Sequence, residues 1–202
     1  NDVRLRFAQW ERLPGYKAGA LNQALKLTHP AAQWIAVVDA DYVVDPQWFK
    51  CVQAHLQCPS VGVVQAPQAH RIGSTRGFER MMKWETEGFF WIGMHHRHTR
   101  NAIIQHGTMT LVRAADLQQL RWNEDCLCED TELGLRLLKA GRHAVYVDRV
   151  LGAGRVPGDF EAYARQRKRW AQGGMQILKQ HARSLLGRSS LTLAQRYHYL
   201  AG

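Results

Sequence analysis

Two carboxylates stand one residue apart at the end of an apolar run. In WIAVVDADYVV (34–44), Asp39 and Asp41 follow four residues that read as a buried strand. Residues i and i+2 of a strand share a face, so the two acids converge if the strand reaches that far. Like charges so placed repel, and leaving water adds to the cost. A hard divalent cation such as Mg²⁺ or Mn²⁺ would offset both. Such ions take one or two carboxylates from protein and the rest of their oxygens from water and substrate phosphates. The same residues would also serve in a turn, or as a cap for the helix expected after Asp45-Pro46. Spacing alone leaves both readings open.

Three further groups could do chemistry. Asp130, in CEDTE (128–132), falls at the N-terminal end of a helix expected over Thr131–Ala140. Free N–H groups and the helix dipole favour an ionised carboxylate there, and an ordinary N-cap would look the same. In QRKRW (166–170), helical spacing puts Gln166, Arg169 and Trp170 on one face with Tyr163 one turn earlier. An amide, a guanidinium and an indole suit a phosphate beside a flat sugar ring. A basic solvated helix with a buried Trp fits as well. In PGYKAGALN (14–22), Lys17 precedes a helix start, where phosphate or uracil oxygens can be held.

The elements that must position these residues alternate. Strands are predicted over Val3–Phe7, Trp34–Val38, Val61–Gln65 and His143–Val147, with a loop entering a strand across Ala102–Val112. Helices are predicted over Ala18–Leu27, Pro46–Leu56, Phe78–Met94, Thr131–Ala140, and Phe160 to about Gln180, with Gly173-Gly174 a potential break. This order argues for an α/β fold with a mostly parallel central sheet. Open sheets of that kind bind ligands beyond the C-terminal ends of their strands, where Asp39 and Asp41 fall.

The 202 residues suffice for one domain with its own core. Net charge is +10, and Ala162–Gly202 carries eight Lys/Arg and no acid, so that block supplies most of the excess. A phosphate-bearing ligand, an anionic membrane surface or a nucleic acid would each suit it. The seven tryptophans suggest aromatic platforms or a membrane-adjacent surface. No run reaches the length of a transmembrane helix. Cys51, Cys58, Cys126 and Cys128 match no zinc spacing and read as reduced thiols. His95, His96 and His98, with His106 beyond, read as a polar loop rather than a metal cluster.

Taken together and in order, K-A-G-A-L-N (17–22), D-A-D (39–41), H-G-T (106–108), E-D (129–130) and Q-x-x-R-W (166–170) resemble the family-2 glycosyltransferases. The resemblance is to the processive, membrane-bound branch that includes cellulose, hyaluronan and β-1,3-glucan synthases. It implies a GT-A-type fold, incomplete at the N-terminus because an earlier uracil-binding motif is not found. It also implies Mg²⁺ or Mn²⁺ as cofactor, with Asp41 as metal ligand and Asp39 supporting it and contacting the nucleotide. Lys17, Gln166, Arg169 and Trp170 would bind the nucleotide sugar. His106, Gly107, Thr108 and Trp170 would meet the acceptor, and Asp130 would be the general base.

The product implied is a β-glucan grown from UDP-glucose; PGYKAGALN and IIQHGTMTLVR point to the β-1,3 type. Residues 1–160 form the catalytic core on this reading. Residues 161–202 form the QxxRW helix and a basic interface segment. The expected partners are a UDP-sugar, a growing glucan chain and the membrane, through transmembrane helices outside this sequence. The expected place is the cytoplasmic face of a bacterial inner membrane. A start at Asn rather than Met fits a piece of a longer protein, inactive alone. A non-processive glycosyltransferase using a lipid or saccharide acceptor is the nearest alternative. A basic nucleic-acid-binding module is the alternative of another class, and it leaves the three aspartates unexplained; nucleic acid is not expected as a partner.

Overall fold

A computed structural model describes residues 5–71 and 77–201. In chain order the elements are α1 (Tyr16–Lys26), β1 (Trp34–Val37), β2 (Val43–Val44), α2 (Trp48–Leu56), β3 (Val61–Gln65) and β4 (Ala69–Arg71). Then come α3 (Gly77–Gly88), a π-helical turn (Phe89–Met94), α4 (His95–His98), β5 (Thr110–Arg113), α5 (Ala114–Leu120) and α6 (Glu129–Lys139). The chain continues through β6 (His143–Tyr146), β7 (Gly152–Arg155), α7 (Phe160–Leu186) and α8 (Leu193–Ala201).

Among the described residues, the main sheet has the order β1-β5-β3-β6 and a smaller sheet the order β2-β7-β4. β5 runs antiparallel to both β1 and β3, while β3 and β6 are parallel. Three of the four main strands therefore share one direction, and β5 is inserted against them. The run VGVVQ of β3 is buried at every position, as expected of a strand covered on both faces. Its side chains serve two cores, the pairing register shifting between Val61 and Val63. Val63, with Val37 and Val112, packs under Ala18, Leu117, Leu133 and Leu137 of α1, α5 and α6. Val61 and Val64, with Leu111, pack under Trp48 and Val52 of α2. A third core joins Leu135 and Leu138 of α6 to Ile177 and Leu185 of α7 and Tyr199 of α8. Helix α6 is thus buried from two sides.

Several sequence expectations shift. β1 ends at Val37, so Asp39 and Asp41 lie beyond the strand, where a Tyr42 N–H bond to the Asp39 carbonyl (3.0 Å) closes a turn. Of the strand expected over Val3–Phe7, Val3 and Arg4 lie outside the described residues, and Leu5–Phe7 is irregular. Helix α7 passes through Gly173-Gly174 unbroken. His95–His98 is helical, not a loop, and His98 Nδ1 accepts the Tyr146 N–H (3.0 Å) at the end of β6. Among the described residues no helix is long and apolar enough to cross a membrane.

Candidate active site

Helix α1 follows Gly15, whose φ of 81° is open only to glycine without strain. That turn directs Lys17 across the C-terminal end of β1. Its Nζ donates to Asp39 Oδ1 (2.5 Å) and to the Gly107 carbonyl (3.0 Å). The Asp39 N–H in turn donates to Thr108 Oγ1 (3.0 Å). A Cβ on Gly107 would stand 3.0 Å from both Asp130 Oδ2 and Lys17 Nζ. The absence of a side chain there lets the amine and the second carboxylate approach the same backbone. Lys17, Asp39, Gly107, Thr108 and Asp130, drawn from four separate stretches of chain, therefore converge.

Asp41 turns elsewhere. Its Oδ2 accepts the Arg155 backbone N–H (2.9 Å), and its carbonyl accepts from an Arg71 guanidinium nitrogen (2.9 Å). It lines a pocket of about 430 Å³ with Tyr42, Val43, Arg71 and Arg155. Burial, together with Asp41 and then Asp39, pushes the Tyr42 phenol well above its usual range. Asp39-Ala40-Asp41 is a turn, and it sends the two carboxylates to different partners. They do not share a strand face.

Asp130 occupies the second position of α6, after Cys128 as N-cap, so it is not the cap itself. Its Oδ1 accepts the Thr131 N–H (2.8 Å). Burial raises its pKa, against the opposing pull of the Thr131 amide, the Lys17 charge and the Gly107 amide. Neighbouring Glu129 is buried, and burial followed by repulsion from Asp130 pushes its pKa up to about 7; Lys17 and Arg169 oppose the rise. Two adjacent acids whose pKa values are both raised by burial suit proton transfer.

The remaining expected residues are placed unevenly. Gln166 and Arg169 line a pocket of about 370 Å³ with Ala162 and Arg165 on one face of α7. Trp170 lies toward the next face, where Arg167 stacks over its ring (4.6 Å) and over Tyr163 (4.9 Å) while pairing with Glu85 (2.7 Å). Arg167 thus links the tryptophan to Glu85 of α3, and Trp170 does not line the pocket with Gln166 and Arg169. His106 is turned inward, its ring edge-on to Phe89 and Phe90 at 5.4 and 5.1 Å, with Nε2 buried and unpartnered. Burial, then Arg97, lowers its pKa to about 4, so it is neutral. Thr108 is buried with its hydroxyl engaged by Asp39, which makes it a support for the aspartate turn.

Residues missed by the sequence reading include Gln65, whose amide bonds the Ala66 and Thr108 carbonyls and the His106 N–H (2.9 Å each). A glutamine closing an all-apolar strand was its signal. Glu129 was visible beside Asp130, but its burial was not. Arg155 acts through its backbone, which leaves no trace in residue type. Among the described residues no three His, Cys, Asp or Glu side chains form a ready metal cage. The exposed carboxylate of Asp41, with one oxygen tied to an amide, fits a Mg²⁺ or Mn²⁺ that completes its shell with phosphate oxygens.

A sheet with one reversed strand, an aspartate turn beyond the carboxyl end of β1 and an acid in the first turn of α6 are the arrangement of a GT-A-type glycosyltransferase fold. Over residues 34–201 the chain matches the family model "Glycosyl transferase family group 2", and it belongs to that family. It is similar to a probable glucomannan 4-β-mannosyltransferase of Oryza sativa subsp. japonica, 25% identical over 98% of this chain and 34% of that protein. Glucomannan 4-β-mannosyltransferase 9 of Arabidopsis thaliana is 23% identical over 98% of this chain and 38% of its own length. The chain thus spans little more than a third of these relatives.

Among solved structures, the mannosyltransferase PcManGT from Pyrobaculum calidifontis in complex with GDP-Man and Mn²⁺ superposes with a TM-score of 0.63. It is 20% identical over 92% of this chain and 50% of its own. S. aureus TarS in complex with UDP-GlcNAc gives 0.59 at 13% identity, over 96% of this chain and 53% of its own. These two likenesses establish the fold.

Proposed function

We propose that this chain is the catalytic portion of an inverting glycosyltransferase that moves a hexose from a nucleotide sugar to a saccharide hydroxyl. One observation carries the reading: Asp130, its pKa raised by burial, stands around Gly107 with Lys17 and Asp39. The acceptor oxygen forms a bond to the anomeric carbon while the bond to the diphosphate breaks. The acceptor proton passes to Asp130, and the bonding electrons leave on the diphosphate. A raised pKa makes Asp130 a stronger base once ionised. Lys17 and Arg169 stand ready to stabilise the departing charge. Asp41, supported by Asp39, would hold a Mg²⁺ or Mn²⁺ that neutralises that charge further.

The donor reading divides. The motif resemblance supports UDP-glucose and a β-glucan product, whereas the named relatives are mannosyltransferases and the PcManGT structure holds GDP-Man, which support a mannose donor. Initial rates of nucleoside diphosphate release by the full-length enzyme, with UDP-glucose and GDP-mannose compared with and without Mn²⁺, decide between them. No Asp130-dependent release from any nucleotide sugar would sink the reading. We place the enzyme at the cytoplasmic face of a bacterial inner membrane, with residues 161–202 against the lipid surface. The support is the basic block and the exposed Leu186, Leu193, Tyr197 and Leu200.

A further inference from the structure

Helix α7 presents one stripe of residues along its whole length. Gln166, Arg169, Gly173, Gln176, Ile177 and Gln180 recur at helical spacing; below the pocket Gly173, Gln176 and Gln180 meet the segment that leads into Asp130, while Ile177 packs in the core with Leu135 and Leu138 of α6. A Cβ on Gly173 would lie 2.8 Å from Cys128 Cβ and 2.9 Å from its backbone nitrogen. Gln176 Oε1 accepts the Leu127 N–H (2.9 Å), and its Nε2 donates to the Asp125 carbonyl (3.2 Å). Asn123 Nδ2 donates to Gln180 Oε1 (2.9 Å). The last link is the most buried. His181 Nε2 lies 2.8 Å from Glu132 Oε1, with side-chain exposures of 11% and 2%.

Glu132 also receives Arg136 Nε at 2.9 and 2.8 Å. Burial pushes its pKa up, but the bonds from His181 and Arg136 outweigh this and the net shift is downward. The carboxylate is therefore ionised, and His181 Nε2–H is the donor. Arg136 already satisfies Glu132 from within α6 and donates to the Leu120 and Arg121 carbonyls (2.6 and 2.7 Å). Helix stability alone thus has its own cation. What His181 adds is a tie between two helices.

We propose that Gln176 and His181 are positioning residues that splint the Asp130 turn to the helix bearing Gln166 and Arg169. The relative placement of base and donor site is thereby set by α7. The inference rests on the glycosyltransferase reading. Misplacement of a reacting group by about 1 Å costs on the order of 10²-fold in rate, so His181→Leu lowers kcat by roughly that factor. Binding of GDP or UDP with Mn²⁺ stays within a few-fold, because Gln166, Arg169 and Asp41 are untouched. His181→Gln keeps a donor toward Glu132 and restores most of kcat. Gln176→Leu frees the Leu127 amide and lowers kcat in the same direction.

The experiment measures kcat, nucleotide binding and amide hydrogen exchange at Leu127–Thr131 in these three variants and in Asp130→Asn. Faster exchange across that turn in His181→Leu, with kcat reduced and nucleotide binding kept, supports the splint. Unchanged exchange, or unchanged kcat per folded molecule, overturns it. Full activity in Asp130→Asn would instead sink the parent reading. Exchange requires no activity, so the two failures are distinguishable.

Discussion

Asp130 and Glu129 share one buried helix turn, so each sets the cost of ionising the other. Asp130→Asn keeps the side chain's size and its acceptor for the Thr131 amide but cannot take a proton. Turnover should fall by roughly 10²–10⁴, the contribution of a positioned base. Affinity for the nucleotide, measured by titration calorimetry, should stay within a few-fold. The pH dependence follows from the upward shifts. Turnover should rise with pH through the titration of Asp130, displaced upward from the ordinary carboxylate range by burial. Stability should run the other way. Glu129 moves from 4.5 to about 7 on folding, so the folded state holds the proton more tightly. Its contribution is therefore fully present below about 4.5 and is lost as pH rises through about 7. Melting temperature against pH should fall across that window, and Glu129→Gln should flatten it. Asp41→Asn should abolish Mn²⁺-dependent turnover while leaving the fold intact, since an Asn oxygen still accepts the Arg155 amide; circular dichroism beside a Mn²⁺ titration checks both. The aspartates, Lys17 and Asp130 were legible as residue types. That the Asp39-to-Asp41 segment is a turn was not, because its direction is fixed by Thr108 and Arg155, distant in sequence.

Helices α6 and α7 meet at a glycine. Gly173→Ala would put a Cβ within 2.3 Å of Cys128 Sγ, closer than side chains pack, so one helix must give way. Overpacking of this kind costs about 1–3 kcal/mol. Chemical denaturation should show that loss, and turnover should fall with it because Asp130 is carried on the displaced end. Gly174→Ala, with open space at its Cβ, should be silent or slightly stabilising. Sequence periodicity located both helices to within two residues at α6 and identified the start of α7. It misread Gly173-Gly174 as a break. A glycine kept for close approach and one kept for a kink look alike until the partner backbone is known. The π-helical turn at Phe89–Met94 was equally hidden, since the run reads as ordinary amphipathic helix; in the fold Phe90 and Met94 pack beside Ile103 and Tyr146.

Across the whole molecule, charge is segregated toward residues 162–202, and α8 pairs its basic residue Arg196 with exposed Leu193, Tyr197 and Leu200. The chain should co-sediment with vesicles containing anionic lipid and not with neutral ones, and added salt should release it. Equal binding to both lipids would remove the interfacial assignment. Fold class was legible because alternating apolar runs and helical stripes dictate layers. The reversal of β5 was not, because strand direction has no local signature. That reversal bears on the order of synthesis. β1 and β3 emerge early, yet neither finds its partner until Thr110–Arg113 arrives to lie between them. A nascent chain ending before Thr110 therefore carries two apolar strand edges open to any neighbour. Such a ribosome-bound intermediate is where chaperone capture or aggregation should concentrate, a hazard that eases as β5 leaves the exit tunnel and ends when β6 covers the other edge of β3.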